Sequence, residues 1–404
     1  MKILYSAFEC NPLKGSDMYV GWSWANKMSM LHDVHVLTSV HNKDDIETYS
    51  KSHRIKAIFH YIDVPSWVNN IPKGYFLRYL IWNKIAYKYA KSLHKEMHFD
   101  IVHHVSIADF RITGDLWRLG GKYIYGPVGG GQTISPVLAK YVGKHKLAEK
   151  MREIINYVAL SLPSYKKAIR NSARIFVSNY ETIAVMRKYL GHNVEFMQDC
   201  ELGIDNKYLE SRRELTHSTS EKVHILLSGR LKYRKGVAFL LDAVARMKTT
   251  IPFVVDIYGS GEEWTNLLEQ RKTLNLENKV IMHGNVSYEK MQKINMTSDI
   301  YVLPSLRETT GTAVVEAMAN KLPVVALEQN GVKLLVGKEC GMLVQISGNL
   351  DSILNDFANA LDTLVENKEL RTTLGNNGYQ RLLDEYTWEA KMKKYSEIYN
   401  SICK

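Results

Sequence analysis

The stretch VLPSLRETTGTAVVEAMANKLPVVAL, residues 302–327, constrains the fold more than any other, because it spells a strand, a turn, a helix and a second strand without interruption. An apolar run from Ile300 to Leu303 stops at Pro304, which has no N–H to give a ladder. The turn from Ser305 to Gly311 is polar. Beyond it a helix opens between Thr310 and Thr312, continues through AVVEAMA and ends near Asn320, a residue that accepts a left-handed exit. Pro323 then opens Val324 to Leu327, an apolar run that fits a strand buried on both faces. In such a βαβ unit the turn lies at the carboxyl end of the sheet, where open α/β sheets bind ligands and where unpaired helix N–H groups face an anion. Two carboxylates stand in this frame, Glu308 in the turn and Glu316 in the helix. They would repel a phosphate placed beside them, so they suit hydroxyl groups on either side of one, a pattern that fits a sugar nucleotide.

With 404 residues the chain has room for two domains of about 200 residues each. Residues 203–220 lose apolar periodicity and gather charged and hydroxyl groups, which marks an interdomain linker. Cys10, Cys200, Cys340 and Cys403 lie far apart, so neither a disulfide framework nor a zinc site is indicated, and a reducing cytosol fits. MKILYSAFEC reads as a strand rather than a leader, and no GxGxxG fingerprint follows it, which argues against a dinucleotide oxidoreductase. No apolar run approaches a membrane span, so membrane contact is expected to be peripheral.

The net charge of +11 is uneven: residues 51–174 carry 21 basic against 7 acidic residues, whereas residues 201–404 carry 26 of each. Such asymmetry points to an anionic partner. Two stretches, 72–98 and 139–170, mix aromatic and aliphatic residues with lysine and arginine at helical spacing. Each is either a core helix with a basic solvent face or an interfacial helix on an anionic bilayer surface.

The Glu308 to Glu316 spacing, followed by AMA, resembles the Glu-x7-Glu signature of retaining glycosyltransferases of family four. GRLKYRKG after the strand at Val223, with Arg230 and Lys235, is similar to that family's diphosphate-binding pair, and His283-Gly284 to its HG element near the nucleotide base. Gly15 and Ser16 sit where the family's first glycine-bearing loop approaches the donor diphosphate, and GPVGGGQ at 126–132 resembles an element of one subgroup. DIVHHVS places His103 and His104 on a strand where family members often carry a histidine near the donor sugar; strand alternation lets at most one face the cleft. After Glu308 this chain departs from the family, with Thr309 and Thr310 before Gly311.

The resemblance implies an α/β GT-B fold of two Rossmann-like domains facing across a cleft. Residues 1–202 would bind the acceptor, 203–383 the nucleotide sugar, and 384–404 would form a helix returning to the N-terminal domain. It implies transfer, with retention, from a nucleotide diphosphate sugar, UDP-sugar favoured, to a lipid-linked glycan in bacterial surface-polysaccharide assembly. A soluble or protein acceptor is the alternative, and a silent nucleic-acid-binding scaffold a remote one. Glu308 and His103 or His104 would serve catalysis; Arg230, Lys235, Gly15, Ser16 and Thr309, Thr310, Gly311 and Thr312 would hold the diphosphate. Glu316, His283 and Gly284 would meet the ribose and base. No Asp-x-Asp metal motif is present, so metal independence is expected, as are no other cofactor, no nucleic-acid partner and a cytoplasmic location peripheral to the inner face of the plasma membrane.

Overall fold

The computed structural model describes residues 1–404 other than 16, 73, 191–195 and 216–220. Ser16 and the end of the expected linker therefore lie outside the described residues. The chain forms two compact units, the first made of Met1–Gly131, Glu153–Leu202 and Lys391–Lys404, the second of Gln132–Arg152 and Gly203–Ala390.

The first unit is built on seven parallel strands: β1 (Lys2–Ala7), β2 (Asp33–Ser39), β3 (Ile58–Ile62), β4 (Ile101–Ser106), β5 (Lys122–Val128), β6 (Ser172–Val177) and β7 (Met197–Gln198). Their order is β3-β2-β1-β4-β5-β6-β7. The central strand β4 is buried at every position, as expected where helices cover both faces of a parallel sheet. Helix Tyr75–Met97 buries Tyr79, Trp82, Ala86 and Ala90 in the core, while Lys84, Lys88, Lys91 and Lys95 stay exposed together with Phe76, Leu77, Leu80 and Tyr89. The closing helix, Trp388–Cys403, places Tyr395 and Tyr399 in this unit, and Lys391, fully buried, donates to Asp199 at 2.8 Å.

Six parallel strands form the sheet of the second unit: β8 (Val223–Ser228), β9 (Phe253–Tyr258), β10 (Val280–Gly284), β11 (Ile300–Leu303), β12 (Val324–Leu327) and β13 (Gly341–Val344), in the order β10-β9-β8-β11-β12-β13. Leu227, Val255, Ile300, Val325, Phe239 and Phe357 belong to one core. Leu138 lies in the same core, and Lys140 and Tyr141 bond Asp242 at 3.0 and 2.7 Å. Residues 132–152, counted with the N-terminal half in the sequence, therefore pack on the second unit. A division at 202 misses this because tertiary burial of Leu138, not chain order, decides it.

The stretch from 354 to 383 is two helices, Leu350–Glu366 and Lys368–Arg381, each opened by an asparagine side chain accepting a backbone N–H: Asn349 from Ser352 and Asn367 from Leu370. The basic stretch 139–170 falls on a 3-10 segment, Pro136–His145, and two helices, Lys146–Ser161 and Pro163–Arg170. In the second sheet the strand order reverses between β8 and β11, and the turns leaving those two strands carry Arg230 and Glu308.

Candidate active site at the switch point of the second unit

The loops after β8 and β11 are fastened to each other. The N–H of Leu306 donates to the Arg234 carbonyl at 2.8 Å, and Gly236, at φ 69°, lies so close to Pro304 that a Cβ would come within 2.0 Å of its carbonyl oxygen. Only glycine combines that conformation with that approach. On this base Lys235 forms a short ion pair with the Glu308 carboxylate, Arg234 stands 3.8 Å from the same oxygen, and the Ser305 hydroxyl donates to it at 3.4 Å. Glu308 thus sits among two cations and a hydroxyl, with its side chain largely buried.

At the ends of β8 and β9 lies a cavity of about 710 Å³ lined by Ser228, Gly229, Arg230, Tyr258, Asn285 and Ala313 among others. Its wall is built by successive backbone turns at strand ends. The Gly229 N–H donates to the Tyr258 carbonyl at 3.0 Å and that of Gly259 to the Gly284 carbonyl at 2.8 Å. At Gly259, φ 133°, a Cβ would come within 1.9 Å of the Gly229 carbonyl oxygen. The chain can therefore approach a ligand without side chains in the way.

Helix Thr312–Ala319 starts at the cavity, with Gly311 as its N-terminal flanking residue and Ala313 in the lining. Its first N–H groups have no intrahelical acceptor, and its positive dipole end favours an anion there. Thr310 is buried, and Thr309 accepts a hydrogen bond from the Gln132 amide at 3.0 Å. Glu316, three residues beyond Ala313, shares its face of the helix. Burial pushes its carboxyl up to about 7.

The sequence-predicted residues fall into three groups. In the second unit Lys235 and Glu308 meet directly, Arg230 lines the cavity with Ala313, and residues 309–312 lead into the helix that carries Glu316. His283 does not line the cavity: its Nε2 lies 2.7 Å from Asp256, which also bonds His224 at 2.8 Å, and its ring stacks on Tyr258 at 4.2 Å. Burial opposes ionisation of Asp256, but the bonds from His224 and His283 outweigh it and hold the carboxyl below its usual range. The Gly284 carbonyl accepts from the Gly259 N–H, and the next two residues, Asn285 and Val286, line the cavity.

The remaining predicted residues belong to the first unit. Gly15 is in an exposed turn where a Cβ would meet nothing within 4 Å. His103 and His104, expected to offer one ring to a cleft, are both buried, because β4 is covered on both faces. His103 is held by the Tyr399 hydroxyl and the Gly126 carbonyl, each at 2.6 Å, and His104 lies 3.2 Å from the Tyr79 hydroxyl. Burial drives their imidazoles down to about 3 and about 4, so both are neutral packing groups at physiological pH. The structure thus removes them from the set of residues available to a substrate.

Tyr258, Gly259, Asn285 and Ala313 were not singled out from the sequence. The Gly-Ser-Gly turn after β9 was the available signal, since β9 lies next to β8 at the switch point. Among the described residues no group of three or more His, Cys, Asp or Glu side chains could hold a metal ion.

Two parallel α/β units of this kind define the GT-B fold. The Anabaena protein HepE, solved in complex with UDP and glucose, superposes with a TM-score of 0.63 at 17% identity, covering 99% of this chain and 100% of that one. Residues 210–381, which lie within the second unit, match the family model described as Glycosyl transferases group 1. An uncharacterized glycosyltransferase of Methanocaldococcus jannaschii is 26% identical over 261 residues, 64% of each chain. A lipopolysaccharide core biosynthesis glycosyltransferase of Rhizobium meliloti is 28% identical over 175 residues, 43% of this chain and 48% of its own. The match thus spans less than two thirds of the length of either relative.

Proposed function

We propose that the chain is a retaining glycosyltransferase that moves a sugar from a nucleoside diphosphate sugar to an acceptor hydroxyl. The observation that carries this reading is the cavity joining Arg230, the glycine turns of β8 and β9 and the start of helix Thr312–Ala319. Arg230 would grip the diphosphate with two parallel N–H bonds, while Lys235 and the N–H groups of residues 309–312 add charge and donors as the nucleotide leaves. Glu308 would accept from sugar hydroxyls and Glu316 from the ribose, with the base against Asn285 and Val286. In the front-face substitution the acceptor oxygen bonds the anomeric carbon as the bond from that carbon to phosphate breaks. The departing phosphate oxygen takes the acceptor proton, so no protein base is needed and positioning supplies most of the rate.

UDP-sugar is favoured as donor, in keeping with the nucleotide bound in HepE. The first unit would bind the acceptor, and a lipid-linked glycan of a bacterial surface polysaccharide fits the Rhizobium relative's role. Exposed apolar side chains in both basic stretches, Phe76, Leu77 and Leu80 in one and Leu147, Ile154 and Val158 in the other, support peripheral attachment to the anionic inner face of a plasma membrane. No helix among the described residues is long and apolar enough to cross a membrane.

The test is a thermal-shift screen against UDP, GDP, ADP, dTDP and CMP, repeated with Arg230→Ala. Stabilisation by one diphosphate, weakened about 30-fold in affinity in the variant, is expected from the loss of a charged hydrogen-bond pair. No shift from any nucleotide would overturn the reading.

A further inference from the structure

Helix Lys146–Ser161 has its polarity inverted. Soluble helices bury apolar side chains and show polar ones to water. Here Asn156 is buried beside Leu160, and Glu149 and Arg152 are partly so, whereas Leu147, Met151, Ile154, Ile155 and Val158 are exposed, Leu147 at 71%, with Glu153 the one exposed acid among them. Their spacing puts them on one outward stripe. Lys144, Lys146 and Lys150 stand exposed around its first turns, and Lys167 and Arg170 follow it. An apolar stripe framed by cations complements an anionic bilayer surface, the occupant adopted here.

The inward side of the same segment holds the loop that carries Glu308. Glu149 accepts from the Arg307 guanidinium at 2.9 Å and from the Tyr233 hydroxyl at 2.5 Å. Both side chains of the Glu149–Arg307 pair are mostly buried. Arg307 precedes Glu308, and Tyr233 lies in the turn that carries Lys235. His145 stacks on Tyr233 at 4.1 Å, Arg152 donates to the Gln132 carbonyl at 2.7 Å, and Gln132 donates to Thr309. Residues 132–152 therefore grip the donor loop at Arg307 and at Thr309. Burial disfavours the Glu149 carboxylate, but the bonds from Tyr233 and Arg307 outweigh it and keep the carboxyl below its usual range.

We infer that this segment is a lever: the outward stripe seats on an anionic bilayer, and the seating sets the donor loop through Glu149, which acts as a positioning residue for Glu308 and Lys235. The inference rests on the proposed donor and membrane readings and adds the link between them. A bilayer that fixes the helix removes motions the loop would otherwise share, so nucleotide affinity rises when the membrane is bound, and by reciprocity membrane affinity rises when nucleotide is bound.

UDP affinity of the full chain is to be measured by calorimetry in buffer, with phosphatidylcholine vesicles, and with vesicles containing one part in three phosphatidylglycerol. The anionic vesicles alone are expected to tighten UDP binding about fivefold, the low end of ordinary coupling. In Glu149→Gln the tightening disappears while co-sedimentation with anionic vesicles persists, and Glu149→Asp, which keeps the charge, restores part of it. Ile154→Glu, on the exposed stripe, loses vesicle binding and keeps the UDP affinity seen in buffer. Vesicle binding that leaves UDP affinity unchanged, or tightening that survives Glu149→Gln, overturns the lever. Failure to co-sediment with anionic vesicles overturns the membrane reading and the lever with it, and failure to bind any nucleotide diphosphate overturns the donor reading.

Discussion

The carboxyl ends of the two sheets carry opposite charge. In the second unit Arg230, Arg234 and Lys235 follow β8, with Glu308 as their carboxylate. In the first, Glu9 follows β1, Asp109 follows β4, Glu201 follows β7, and all three act on Asp17 at the start of the helix after β1. Burial and then repulsion from Glu201, Glu9 and Asp109 lift the Asp17 carboxyl to about 6. Yet the first half of the chain carries the whole basic excess. The charge of a region and the charge at its sheet ends are separate quantities, because surplus lysines ride on outer helix faces whereas strand-end residues meet a ligand. Within the proposed function, the cationic end suits a diphosphate and the acidic end suits hydroxyl groups, which donate to carboxylates.

Removing a cation from the positive end is expected to have the largest effect. Lys235→Ala leaves a largely buried Glu308 with Arg234 at 3.8 Å as its remaining cation, and a loss of about 2–3 kcal/mol in unfolding free energy is expected from urea titration. An unchanged midpoint would mean the pair is a surface contact.

Glu316→Gln comes next. The folded carboxyl sits near 7 against 4.5 for a free glutamate, so the stability it contributes is full below pH 4.5 and is lost as pH rises through 7. The variant should therefore match the parent at pH 4 and exceed it by about 2 kcal/mol at pH 8, while binding nucleotide more weakly. An equal gain at both pH values would show that packing, not ionisation, is responsible.

Asp17→Asn sharpens the comparison from the other unit. Its carboxyl is raised to about 6 from 3.8, so a gain of about 1–2 kcal/mol should appear above pH 6 and vanish near pH 4. Nucleotide affinity should not move. If it falls as far as in Glu316→Gln, the division of labour between the two sheet ends is broken.

Much of this arrangement is legible in the sequence because it rests on short-range rules. Apolar runs stopped by glycine or proline mark β8 and β11, one opened by Pro323 marks β12, and the helix from Thr312 follows from its own composition. Arg230 and Glu308 can be placed because a residue just past a parallel strand lies at the carboxyl edge. What escapes depends on partners distant in sequence. His103 and His104 look available until helices close over both faces of β4. His283 looks like a ligand, and what its own sequence does not reveal is that its ring is tied to Asp256, one strand away. Asn285 and Tyr258 carry no chemical signature of their own and become cavity walls through the turns that bring three strand ends together. The allegiance of residues 132–152 hangs on Leu138, whose apolar character says that it is buried but not in which core.

That allegiance bears on how the protein can be dissected. The chain passes between its units four times, at 131/132, 152/153, 202/203 and 390/391. A cut at residue 202 would strip the second half of Leu138 and of the Gln132 and Glu149 grips, and would deprive the first half of the Lys391, Tyr395 and Tyr399 plug. Chimeras that exchange one unit with that of another GT-B protein therefore need all four crossovers, and a single-joint hybrid would carry two unmatched cores.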